Sequence, residues 1–264
     1  MDKTSTTEKI SNVAFWRPVR LLLFLLLSRA ARKVLLTREL QLEGGDKARW
    51  LKADFARFID EFRLTAIDLR QTARLHALPS IGNRLMVELA VFTLAAYRTM
   101  LQQDIDRADA RQIVADIGWD VYAVLLGMTS LPFRLVSRDP GKRLRNTIRL
   151  LLWFPFNAPG PPGYEVQVWT KEEDIHTHFT HCPPHSFVRR LIDERGDKGD
   201  LEAFIASWCR YDWPGADLIA DDGQRGHYVR RQTLSHGDPV CDMCWAARAL
   251  DAGAADNETS GAEQ

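Results

Sequence analysis

Apolar positions return every three or four residues through the first 150 residues of this chain, and every second residue from about 164 onward. That single change of period predicts helices first and a sheet second. Over residues 46–78, Trp50, Phe55, Phe58, Ile59, Phe62, Ile67, Leu69 and Leu75 mark one helical face, with no Gly or Pro until Pro79; this is one long helix or two end to end. PSIGN (79–83) reads as a loop, and residues 84–103 place Leu85, Leu89, Phe92, Ala96 and Met100 on one face. Asp106 is the expected N-cap of a helix reaching about residue 128, with Ile113, Ile117, Val121, Val124 and Leu125 inward. LPF (131–133) and RDPG (138–141) break it, and residues 142–153 form one more, basic, helix.

NAPGPPG (157–163) ends the helical region, because no helix survives three prolines and two glycines in seven residues. The chain therefore divides into a helical region (1–156), an α+β region (164–245) and a solvated tail (246–264) expected to be disordered. YEVQVWT (164–170) and DIHTHFTH (174–181) alternate as the two strands of a hairpin around a turn at 171–174. Pro183 and Pro184 end the second strand and open a short helix through residue 192; residues 201–208 are helical again. Residues 227–235 alternate as a third strand, and HGDP turns the chain toward a last short segment, CDMCW (241–245). The expected fold is α+β, an N-terminal helical bundle followed by a small antiparallel sheet with short helices.

At the N-terminus, a helix over residues 19–42 would carry Arg29, Arg32 and Lys33 on one face and Leu22, Leu26, Ala30 and Leu36 near the other. The apolar run behind Arg17 and Arg20, residues 21–27, is seven residues long, far short of the roughly 20 that a membrane span needs. The pattern admits a helix packed on the rest of the chain, a cleaved signal, or peripheral membrane contact through the basic amphipathic face. The packed helix is the expectation.

Composition narrows the partners. Lys and Arg number 35 against 35 Asp and Glu, so no polyelectrolyte partner is implied. Arg57, Arg63, Arg70 and Arg74 alternate with Asp54, Asp60, Glu61 and Asp68 on the same turns. That is a solvated, salt-bridged face, and no nucleic-acid partner is expected. A hydrophobic share of 45% with 27% charged residues is that of an ordinary globular protein. Four cysteines are too few for a disulfide scaffold; a reducing, cytoplasmic location is the expectation.

The chemistry-bearing residues are segregated. All four cysteines (Cys182, Cys209, Cys241, Cys244) and every histidine except His76 lie within residues 176–244. Cys182 ends a predicted strand, Cys209 ends a predicted helix and Cys241 follows a turn, positions from which side chains reach a shared cleft. Three uses are open. Zinc could be held by Cys182, Cys209 and Cys241, completed by Asp212 or a histidine, although the single CxxC (Cys241, Cys244) lacks the second pair of a structural site. One thiol could be a nucleophile, since Cys241 has His236, Arg230 and Arg231 near it in sequence and Cys182 is bracketed by His178, His181 and His185. Each could also be a small buried hydrophobe. A thioredoxin-like use of CDMC is disfavoured because no βαβ unit surrounds it. His176 and His178 share one strand face, as a ligand pair or as strand surface.

The order Cys182-Pro183, Cys209-x-x-Asp212, then Arg230, Thr233, Leu234, Gly237, Asp238, Cys241 and Asp242 resembles the L-2-amino-thiazoline-4-carboxylic acid hydrolase family. ELAVFTLAAYRTMLQQ and RADARQIVADIGW are similar to that family's N-terminal helices, so the resemblance spans about residues 17–245. Met243 and Cys244 depart from the pattern. The resemblance implies a hydrolase that adds water to the ring carbon between sulfur and nitrogen of a small cyclic amidine, breaking the carbon–sulfur bond to give N-carbamoyl-L-cysteine. It implies Cys182, Cys209, Asp212 and Cys241 as catalytic residues, and a small-molecule substrate whose carboxylate is held by Arg230 or Arg231, with Thr233 and His236 beside them. The Gly237-x-x-x-Cys241 ending is also similar to vinyl-reductase-like small-molecule-binding domains, some of which hold zinc through cysteines. That likeness implies a non-catalytic, zinc-holding module for a small hydrophobic ligand.

Overall fold

The computed structural model describes residues 3–250, with side chains of Trp16 and of residue 18 onward. Of the tail expected to be disordered from residue 246, Ala246 and Ala247 are instead buried, their N–H groups donating to the His227 carbonyl and the Asp174 carboxylate, and from residue 251 it lies outside the described residues. The fold is α+β, helices first and a four-stranded antiparallel sheet after them.

Helix α1 (Lys3–Leu35) buries Leu23, Leu27, Ala30, Ala31 and Leu35, and leaves Leu22 exposed. The inward face is thus turned from the predicted Leu22–Leu26 line, and the helix stops well before residue 42. A run that is apolar all round carries no angular signal, so its partners choose the buried side. Strands β1 (Leu40–Gln41) and β2 (Lys47–Ala48) then form a small hairpin that the helical reading missed. Its signal was present in Gly44 and Gly45, both at positive φ.

Helix α2 (Lys52–Ala73) packs Phe58, Phe62 and Leu69 inward, whereas Ile67, predicted to be inward, is exposed. Helix α3 (Ile81–Gln102) starts inside the predicted PSIGN loop, where the Ser80 hydroxyl accepts the Asn83 N–H. Helix α4 (Arg107–Val136) is capped by Asp106, as its sequence predicts, but runs through Pro132. Pro132 lies one turn from the end, so it removes a single internal hydrogen bond and the predicted break at LPF does not form. RDPG opens helix α5 (Pro140–Trp153), with the Asp139 carboxylate accepting the Lys142 N–H and Pro140 in the first turn.

Strands β3 (Glu165–Lys171) and β4 (Asp174–His181) form the expected hairpin. Helices α6 (Pro183–Arg195) and α7 (Asp200–Ser207) return to the bundle, where Phe187, Val188, Leu191, Ala203 and Phe204 join one apolar cluster with α1 to α4. The Pro/Gly break at 157–163 therefore separates layers while the helical core continues past it. Helix α8 (Asp212–Ala220) is not among the elements expected from the pattern, and it holds Pro214 and Gly215 near its start. Pro214 is harmless in a first turn, where its missing N–H has no helical partner anyway. A Cβ on Gly215 would stand 3.1 Å from Leu126, so glycine allows α8 close to α4.

The predicted third strand over 227–235 shrinks to β5 (Tyr228–Arg230). The Asp242 carboxylate accepts the N–H groups of Arg231 and Gln232 at 2.8 and 2.6 Å, and Asp238 accepts that of Thr233, so the ladder has no donors left. The last strand in sequence, β6 (Cys241–Trp245), lies between β4 and β5 in the order β3-β4-β6-β5. Its register, Phe179 opposite Cys241, Thr177 opposite Met243 and Ile175 opposite Trp245, turns those residues to the inner face against α5 and α8. Successive residues of a strand alternate sides, so Cys241 and Cys244 lie on opposite faces of the sheet.

Candidate functional site

Between the bundle and the inner face of the sheet lies a cavity of about 550 Å³, within the roughly 300–1,000 Å³ usual for ligand pockets. Its walls are apolar: Leu85 and Leu89 come from α3, Val121 and Leu125 from α4, Ile148 from α5 and Phe179 from β4. The polar lining is concentrated in a few side chains, among them Cys182, Cys209, Asp212, Arg230 and Cys241. Each is delivered by the end of an element. Cys182 is the N-cap of α6, Cys209 sits in a 3-10 turn after α7, Asp212 opens α8, Arg230 ends β5 and Cys241 begins β6.

These groups are tied together. Arg230 donates to the Asp212 carboxylate at 3.3 Å and to the Cys209 carbonyl, with its guanidinium 4.7 Å from the Trp213 ring centre. The Tyr228 hydroxyl donates to the same Asp212 oxygen at 3.2 Å. The 3-10 turn at Leu234–His236 fixes two of the thiols: the Leu234 N–H donates to Cys241 Sγ at 3.3 Å, and Ser235 Oγ meets Cys209 Sγ at 3.3 Å.

Burial sets the charge states. It pushes the Cys182 thiol well above its ordinary range and the Cys209 thiol up to about 11, and it raises Cys241 as well. Burial also lifts the Asp212 carboxyl above the usual carboxylate range, against the opposing pull of Arg230 and Tyr228. For Arg230 burial works against the charge, yet Tyr228 and Asp212 hold it above its ordinary value. His185, which also lines the cavity, is lowered to about 4 by burial and by Arg189, so at neutral pH its ring is uncharged and does not activate a thiol as an imidazolium. The resting cavity thus holds neutral thiols beside one buried ion pair.

Alkylation with iodoacetamide checks this: Cys182, Cys209 and Cys241 are expected to label slowly at pH 8, with Cys209 accelerating toward pH 11. Rapid labelling of any of the three at pH 8, followed by peptide mass mapping, would contradict it. The same protonation has a stability sign. The contribution from holding Cys209 neutral is complete below its ordinary pKa of 9.0 and is lost as pH rises through about 11.

The remaining predicted site residues are placed elsewhere. Arg231 follows Arg230 by one residue and is exposed, while Thr233 is buried behind Cys241, with Oγ1 3.4 Å from its Sγ. His236 is exposed on the 3-10 turn. None of the three lines the cavity. His181 is a structural residue, bonded to the Gly163 carbonyl and Ser186. Cavity residues that sequence reasoning missed include Tyr122, Trp208 and Trp245. Tyr122 could have been found from its spacing with Gly118 and Val121 on α4. Trp245 keeps a buried indole N–H with no acceptor among the described residues.

The thiol set expected for zinc is not drawn to ligand spacing. Among the described residues, the His/Cys/Asp/Glu group whose ligand atoms all lie within 4.8 Å of one another is Asp174, His176 and Cys244. That group sits on the outer face of the sheet, where Trp169 stacks on His176 at 5.3 Å. It could hold one divalent transition ion, remote in role from the cavity.

Fold and site together define an α+β protein with a helix-walled apolar cavity closed by a small sheet. Compared with known proteins, the chain matches no family model, no curated protein and no solved structure.

Proposed function

We propose that this protein binds an elongated, largely apolar small molecule in the cavity, with an acidic head group directed to Arg230. The observation that carries the reading is the pairing of apolar walls with a buried cluster of polar side chains around the Arg230–Asp212 ion pair. Trp245 adds an unpartnered donor for which a bound molecule could supply the acceptor. An arriving carboxylate competes with Asp212 for Arg230. Asp212, already raised, then takes up a proton, so binding of the acid strengthens as pH falls toward that carboxyl's pKa.

The test is displacement of an environment-sensitive apolar fluorophore by aliphatic carboxylic acids. Expected is saturable, one-to-one displacement that is lost in Leu125→Trp, which fills the cavity from α4. Undiminished displacement in that variant, with an unchanged melting temperature, rejects the cavity as the site.

A second reading, ring opening of a cyclic amidine as the family resemblance implies, is supported by the gathering of Asp212, Arg230 and three thiols on the lining of one cavity. In it Asp212 would handle the proton of the attacking water, since the buried thiols are neutral. Its test is turnover of 2-amino-thiazoline-4-carboxylate. Conversion abolished by Asp212→Asn supports it, and no conversion removes it.

A further inference from the structure

The mouth of the cavity is built from side chains that also face solvent. Met128, Trp153 and Phe154 line the cavity and are 57, 75 and 39% exposed. Met128 belongs to a stripe, Val124, Met128, Leu131 and Leu135, at helical spacing along the outside of α4. Leu21, Leu22 and Leu25 of α1 are exposed as well, while Leu27 two residues on lines the cavity. The ion pairs Lys33–Asp120 and Arg38–Asp116 set α1 antiparallel to α4, which brings the exposed leucines of α1 alongside the second half of α4. A patch of this kind around an opening marks an interaction surface.

Charge identifies the partner. In a chain of zero net charge, residues 16–38 contain no acidic side chain and residues 121–164 contain one, Asp139, which caps α5. Arg29, Arg32, Lys142 and Arg149 are exposed there and make no ion pair with an acidic side chain among the described residues. Arg149 stands one turn before Trp153, and Arg29 one turn after Leu25. Exposed apolar chains and an interfacial tryptophan interleaved with unopposed cations match the surface of an anionic bilayer. Helix α4 is long and apolar enough to cross a membrane, but Ile113, Val114 and Ile117 in its first half are enclosed in the helical core, so its outer stripe can meet a bilayer only from the side.

We infer that the protein docks peripherally on anionic lipid bilayers through the cavity mouth, and that its apolar ligand enters from the bilayer. The second clause rests on the cavity being a binding site; the docking surface does not.

Flotation of the full chain with phosphatidylcholine vesicles, with and without phosphatidylglycerol, tests it. Expected is a vesicle-bound fraction at least about tenfold higher with phosphatidylglycerol and falling with salt. The exposed double variant Leu131→Glu with Leu135→Glu is expected to lose most of that binding, while its melting temperature and its displacement of the soluble fluorophore stay unchanged. Vesicle binding absent from both compositions, or unaffected by the double variant, overturns docking even when the fluorophore still binds. Light scattering that finds a dimer dissolved by the same variant also overturns it and assigns the face to a second copy. Vesicle binding without fluorophore binding supports docking and instead removes the cavity reading.

Discussion

Asp200→Ala is expected to lower the unfolding free energy by about 3–5 kcal/mol, measured by urea denaturation of the full chain. Asp200 opens α7 and is fully buried; both of its oxygens accept from Arg98 of α3 at 2.8 Å, and one also accepts the Lys198 N–H. The bidentate geometry matches guanidinium to carboxylate, and among the described residues no other carboxylate pairs with Arg98. Removing the carboxylate leaves a buried cation between two helices that both wall the cavity, through Leu89 of α3 and Phe204 of α7. At about 2–4 °C per kcal/mol for a chain of this size, the melting temperature should fall by roughly 6–20 °C. Replacing both partners, Arg98→Met with Asp200→Leu, should recover most of the loss, because the cost lies in the uncompensated charge. A loss under about 1 kcal/mol in Asp200→Ala would show that the pair is not held in a low-dielectric interior.

Arg230→Met is expected to weaken binding of an aliphatic carboxylic acid by about 100-fold, which is about 3 kcal/mol, while leaving the alcohol of the same chain length nearly unaffected. Arg230 is the cation that lines the cavity, and its Asp212 partner is the acceptor that an incoming carboxylate must displace. Asp212→Asn removes that competitor and the coupled proton uptake. It should therefore tighten acid binding at pH 7 and flatten its dependence on pH. Equal losses for acid and alcohol in Arg230→Met would indicate collapse of the cavity wall, since the guanidinium also packs on Trp213 and holds the Cys209 carbonyl. An unchanged acid affinity would remove Arg230 from the head-group site.

The two levels at which this molecule can be read separate along particular residues. Asp106 as a helix cap, the hairpin of residues 165–181, the Pro/Gly break at 157–163 and the helix opened by Pro183 all follow from near neighbours in the chain. They were legible because capping, alternation and proline chemistry act over a few residues. The arrival of Cys182, Cys209 and Cys241 at one cavity was approachable from sequence because each stands at the end of an element. Arg231 and His236, expected beside the substrate, do not line the cavity, because nearness in sequence says nothing about side: one step past the end of β5 leaves Arg231 exposed while Arg230 lines the cavity.

By itself, then, the sequence determined the α+β class, the order of helices before strands, the segregation of all thiols and of every histidine but His76 into the last third, and the acid-poor stretches around the first and fourth helices. Tertiary structure alone decided which side of the 21–27 run is buried, that β6 inserts between β4 and β5, that the CxxC is split across two faces of the sheet, and that Asp212, Arg230 and three neutral thiols share one apolar cavity. The physical reason is range. Caps, turns and periodicities are settled by interactions within a turn or two, whereas burial, strand order and the desolvation that keeps the thiols protonated arise only when segments distant in sequence exclude water from one another.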